Sequence, residues 1–94
     1  MAKSEEGWWK FIHLCKEMKS DDKLSALLDL LLTPQEKESI AMRCLIVREL
    51  LKEEKTQRDI AKNLNVSIAK ITRGSNELKH FSKSFLDHLK SKLK

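Results

Sequence analysis

The stretch Gln57–Leu78, QRDIAKNLNVSIAKITRGSNEL, decides the fold. Ile60, Leu64, Val66 and Ile71 occupy positions that lock two short helices together, and Ala61 is small where the second helix crosses closely. Thr56 and Ser67 stand where caps are needed, so the pattern predicts helices over 57–64 and 68–76. Asn65 lies between them, where the turn needs a residue that tolerates positive φ. Together these features predict a helix-turn-helix. Its second helix offers Ser67, Ile68, Ala69, Lys70, Thr72 and Arg73 to solvent or to DNA. A helix in the major groove reads base edges with its N-terminal residues, while flanking Lys, Arg, Ser and Gln hold phosphates. Ile68 and Ala69 suit thymine methyls, and Lys70 suits guanine. Two short helices around a turn also occur as packing hairpins in all-α cores.

The charge around this segment favours the nucleic-acid reading. The chain of 94 residues carries a net charge of +5. Residues 1–32 balance at −1, residues 33–64 at +1 and residues 65–94 at +5. An excess confined to one end points to a polyanionic partner there, although a solvated basic helix has the same composition.

Outward from the motif the chain reads as all-α. Two Gly and one Pro are too few for the turns of a hairpin-rich β fold. Trp8, Phe11, Ile12, Cys15 and Met18 recur at helical spacing over 4–18. Ser20, Asp21 and Asp22 break that pattern and cap a short helix over 23–31, whose leucines on most sides imply burial between other elements. Thr33-Pro34-Gln35-Glu36 is a capping box with Pro at the first helical position, opening a helix to about Glu53. Ser82 opens a last helix over 82–93, with Phe85, Leu86, Leu89 and Leu93 on one face.

From Ile40 to Val47 the third helix is apolar all round except for Arg43. A helix apolar on every side is normally enclosed on every side, and 94 residues hardly supply the material. We therefore expect six helices in an intertwined homodimer. The expected organisation is one domain over 1–94, with a dimerisation core at 4–54 and 82–94 and a reading head at 56–78. A buried, unpaired guanidinium costs on the order of several kcal/mol, so Arg43 must reach water, pair or meet a ligand. Glu49 is six positions away, outside the favoured helical spacings. Arg73 lies beside Gly74, where a missing Cβ allows close backbone approach, by a ligand for example. Thr33 precedes Arg43 by ten residues, about 15 Å of helix, so one small ligand reaches both only across an intertwined dimer.

Two cysteines, Cys15 and Cys44, sit in helical apolar patterns and read as reduced packing residues of a cytoplasmic protein. No apolar run approaches the roughly 20 residues of a membrane span, and none resembles a signal peptide. His13, His80 and His88 have no ligand-like spacing to either Cys, and there is no Gly-rich phosphate loop. Neither a metal nor an enzymatic activity is expected.

LLTPQEKESIAMRCLIVRELL (31–51), TQRDIAKNLNVSIAKITRGSNEL (56–78) and WWKFIHLCKE (8–17) closely resemble the bacterial tryptophan repressor family, from about Trp8 to Leu93. The resemblance implies a six-helix intertwined homodimer with L-tryptophan as co-repressor and double-stranded operator DNA as partner, repressing tryptophan biosynthesis or salvage genes. It implies that Arg43 and Arg73 sandwich the indole and that Arg73 also reaches the carboxylate. The carbonyls of Leu30 and Leu32, with Thr33, would come from the other subunit, and Gly74 would let the ligand sit against the helix. Gln57, Arg58, Ile68, Ala69, Thr72, Ser75 and Lys79 match positions facing operator DNA.

The chain also departs from the pattern. Leu45 stands where the family often has a phosphate-binding Arg, Lys70 replaces a Thr, and Asn65-Val66-Ser67 replaces a glycine-rich turn. Glu77 replaces a small hydroxyl residue near the ligand ammonium, where a carboxylate can add an ionic contact. Two other readings stand beside a tryptophan-responsive repressor. One is a helix-turn-helix regulator with altered or lost ligand dependence, and the other is a helical oligomerisation module.

Overall fold

A computed structural model describes residues 2–93, and these form six helices and no strand. They are α1 (Lys3–Glu17), α2 (Asp21–Leu31), α3 (Pro34–Lys52), α4 (Gln57–Leu64), α5 (Ile68–Leu78) and α6 (Lys83–Lys92). The expected caps hold because side chains satisfy orphan amides there, and with Ser20 as its cap α2 begins at Asp21, two residues before its expected start. The Ser20, Thr56, Ser67 and Ser82 hydroxyls accept from the backbone N–H groups of Lys23, Asp59, Lys70 and Phe85. Each such cap stabilises its helix by about 1 kcal/mol. At α3 the capping box is reciprocal: Glu36 N–H donates to Thr33 Oγ1 at 3.1 Å, and Thr33 N–H donates to Glu36 Oε1 at 2.8 Å. The fifth helix runs two residues beyond its predicted end, so Arg73 and Gly74 lie in mid-helix.

The chain divides into two compact units, one ending at Glu38 and one beginning at Ser39. The first holds α1, α2 and the opening turn of α3. It buries no side chain. Phe11, Ile12, Cys15 and Met18 are half-buried along α1, and the Trp8 and Phe11 rings lie 5.6 Å apart. The full burial expected of α2 is not observed, because the single chain supplies no further apolar layer over it. Leu24, Leu27 and Leu28 are half-buried, and Leu30 is 80% exposed.

The second unit has a small closed core. Ile46 from α3, Ile60 and Ala61 from α4 and Ile71 from α5 are buried, with Met42, Leu50, Leu64 and Val66 packed against them. Burying an isoleucine contributes roughly 1.5–3 kcal/mol, so Ile60 and Ile71 anchor the helix-turn-helix. Asn65 makes the turn between α4 and α5, with φ 56° and ψ 48°. This left-handed residue lets Val66 N–H reach back to the Ala61 carbonyl at 3.0 Å and drops the Val66 side chain onto the core.

Glu49 is the buried charged residue of this unit. Arg48 Nε donates to its Oε2 at 2.8 Å, Lys55 Nζ donates to Oε1 at 3.1 Å, and Lys52 Nζ lies 3.2 Å from Oε2. Lys55 belongs to the connection between α3 and α4, so the carboxylate ties that connection to α3. Hydrogen bonds from Lys55, then Arg48 and Lys52, outweigh the cost of burial and pull the carboxyl from 4.5 down to about 2. The same connection holds Glu53 at φ 55°, a left-handed position that ends α3 without a glycine.

Candidate functional site

The rows Ser39, Met42, Arg43, Ile46, Val47 on α3 and Lys70, Arg73, Gly74, Glu77, Leu78 on α5 share one spacing. Residues at i, i+3, i+4, i+7 and i+8 fall on one face of a helix. These two faces, with Phe81 beyond α5, line a cavity of about 500 Å³ in the second unit. That size falls within the roughly 300–1,000 Å³ typical of small-molecule sites. Its walls are apolar, from Met42, Ile46, Val47, Leu78 and Phe81. Its charged groups are three cations, Arg43, Lys70 and Arg73, and one carboxylate, Glu77.

This arrangement fits a small ligand with an apolar body and both charges of an amino acid. The cations can receive a carboxylate, and Glu77 can receive an ammonium. Guanidinium planes can also stack on an aromatic ring. Among the described residues none of the four charged groups is in an ion pair. Arg43 reaches water, one of the three outcomes expected for it. It is exposed along with Ile40, Ala41 and Cys44, because the single chain does not enclose that part of α3.

Gly74 has a more specific reason than ligand approach. A Cβ built there would lie 3.1 Å from Ile46 Cγ2 and 3.4 Å from Leu50 Cδ1. The missing side chain lets α5 press against α3, which sets the floor of the cavity.

The other expected positions separate by helix geometry. At 100° per residue Ile68, Thr72, Ser75 and Lys79 form a stripe lying about 180° around α5 from Lys70, Arg73, Gly74 and Glu77. Ile68 is 49% exposed, and Ala69, Thr72 and Lys79 are exposed. Gln57 and Arg58 open α4, and Thr72 Oγ1 donates to Gln57 Oε1 at 2.9 Å, joining the two helices at this surface. Lys70 therefore sits with the cavity residues, away from the outward stripe to which base reading would assign it. Leu30, Leu32 and Thr33 lie in the first unit: Leu30 and Thr33 are exposed, and Leu32 is half-buried.

The wall residues Met42, Ile46, Val47, Leu78 and Phe81 and the polar Ser39 escaped the sequence reading. The matching periodicity of the two rows was the signal that could have found them. Among the described residues no group of His, Cys, Asp and Glu is arranged to hold a metal, and no helix is long and apolar enough to cross a membrane.

Comparison with known proteins shows the family. A family profile described as Trp repressor protein matches residues 6–93. A Trp operon repressor homolog of Chlamydia caviae is 47% identical over 94% of this chain and 87% of that protein. A Trp operon repressor homolog of Mannheimia succiniciproducens is 44% identical over 96% of this chain and 89% of its own length. One from Chlamydia trachomatis serovar D is 43% identical over 95% of each chain.

Proposed function

The chain belongs to the Trp repressor protein family, and from that premise we propose that it is a tryptophan-responsive, DNA-binding transcriptional repressor of tryptophan biosynthesis or salvage genes. L-tryptophan is the co-repressor. Arg43 and Arg73 flank its indole, Arg73 meets its carboxylate, Glu77 meets its ammonium, and Gly74 gives it room against α5. The working form is a homodimer in the cytoplasm, with Leu30, Leu32 and Thr33 contributed by the second copy. The exposed apolar residues of α3 support that pairing, since water-exposed Ile40 gains from being covered. Operator DNA meets Gln57, Arg58, Ile68, Ala69, Thr72, Ser75 and Lys79.

One observation carries this reading: α5 presents a charged cavity face on one side and, on the other, a stripe with exposed Ile68, Thr72 and Lys79 and half-buried Ser75. A ligand in the cavity therefore acts on the same rigid helix that faces DNA. Helix-turn-helix dimers, this family included, read half-sites about 34 Å apart, so the separation and tilt of two such helices govern binding. Tryptophan shifts that equilibrium only through its preference for the DNA-competent state, and DNA must raise tryptophan affinity by the same factor.

Titration of DNA from upstream of tryptophan genes, with and without L-tryptophan, tests the proposal. Tighter binding with the amino acid, weakening steeply with salt, is expected. Lys79→Ala should weaken binding on all sequences alike. Equal DNA affinity in the presence and absence of tryptophan overturns the proposal.

A further inference from the structure

Lys70 occupies the N-terminal part of α5, where a cation is ordinarily assigned to DNA, yet it lines the cavity with Arg43, Arg73 and Glu77. It precedes Arg73 by three residues and Gly74 by four, so all three share one helix face. Ile68 and Thr72 lie about 160° around the helix from it, on the outward side. With Lys70 the cavity holds three cations against one carboxylate, and among the described residues none of them is ion-paired within the chain. Like charges gathered around one space repel, and an anionic group placed among them relieves that repulsion. In the proposed arrangement Arg43 and Arg73 flank the aromatic ring, Arg73 also meets the carboxylate and Glu77 takes the ammonium, which leaves Lys70 as the cavity cation without a ligand group of its own.

We propose that Lys70 is a ligand-binding residue that joins Arg73 in holding the carboxylate of an α-amino-acid ligand. This inference rests on the tryptophan-responsive reading above and deepens it. The side chain is exposed and lines the cavity, and a lysine stem is long and flexible enough to carry its ammonium to a ligand there. A site with two carboxylate-binding cations discriminates strongly against indole compounds that lack the acid group. Lys70 then contributes to DNA binding through the ligand, by setting how much of the protein is loaded.

Calorimetric titration of L-tryptophan into the wild type and into Lys70→Arg, Lys70→Met and Lys70→Glu, all without DNA, decides the point. Affinity is expected to follow the charge at position 70. Arg should stay near wild type, Met should lose about tenfold, as expected for a charge-assisted hydrogen bond, and Glu should lose more. Met keeps the length of the stem, so a packing role predicts no loss there, and thermal unfolding verifies that each variant is folded. Wild-type affinity in Lys70→Met overturns the assignment, as does equal loss in Met and Arg. Failure of the wild type itself to bind L-tryptophan is a different result, which overturns the tryptophan reading and this inference together.

Discussion

Residues 2–38 and residues 39–93 both form capped helices, but they are completed differently. The second unit closes a core of Ile46, Ile60, Ala61 and Ile71 from its own residues. The first has a comparable periodicity of apolar residues and buries none of them, leaving Trp8 57% and Trp9 53% exposed. The helix-turn-helix closes because its contacts are local: a tight turn at Asn65 brings α4 and α5 together at little entropic cost. The amphipathic face of α1 has no equally close partner in sequence. The difference separates a part of the protein whose core its own residues close from a part whose apolar surface they leave uncovered.

The comparison can be broken most forcefully in the core. Ile71→Ala should cost about 2–5 kcal/mol, measured by chemical denaturation, because Ile71 is fully buried. Trp8→Ala should cost far less in dilute solution. Its cost should grow with protein concentration as a second copy covers that face. A Trp8→Ala cost that is large and independent of concentration would show that α1 is already buried within the single chain.

A smaller effect is expected at the α3–α4 connection. Glu49→Gln leaves Arg48, Lys52 and Lys55 without their shared carboxylate and should cost about 1–3 kcal/mol. The carboxyl titrates near 2 when folded against an ordinary 4.5, so the unfolded chain binds the proton more readily. The stabilisation is complete above pH 4.5 and drains away as pH falls towards 2. Urea midpoints across that range should show a steeper acid decline in the wild type than in Glu49→Gln.

The first unit can be weakened at its boundary. Thr33→Ala removes one half of the reciprocal cap on α3 and should cost about 1 kcal/mol, read as a fall in melting temperature. The smallest change runs the other way. Glu53→Gly relieves a left-handed residue at the end of α3 and should raise stability by about 0.5–1 kcal/mol.

What the sequence made legible was local. The caps at Ser20, Thr33, Thr56, Ser67 and Ser82 and the left-handed Asn65 depend on residues within three or four positions, and each is found where the pattern put it. The pairing of Arg43 with Arg73 around one space was legible only through the family resemblance, since nothing local links residues thirty apart. In the Glu49 cluster the Lys52 contact has ordinary i, i+3 helical spacing, but Lys55 reaches the carboxylate from outside the helix, beyond any i, i+4 rule. Of the alternatives the hydropathy around Arg43 leaves open, reaching water is the one the single chain shows, because hydropathy gives how readily a face is covered and not what covers it. Gly74 reads from the sequence as a point of close approach, and within the chain the groups that approach it are Ile46 and Leu50, a contact set by tertiary packing.

Gly74 also gives the molecule a mechanical property. With no Cβ to hold it off, α5 rests directly on Ile46 and Leu50, so that contact is a pivot placed near the middle of a stiff rod. An 11-residue helix is about 16 Å long, and a tilt of about 10° over that length displaces one end relative to the other by about 3 Å. A displacement of that size is comparable to a hydrogen-bond length, enough to make or forfeit contacts on a groove. A one-carbon wedge at position 74 would press on Ile46 and move the fulcrum, altering the leverage between cavity and outward stripe.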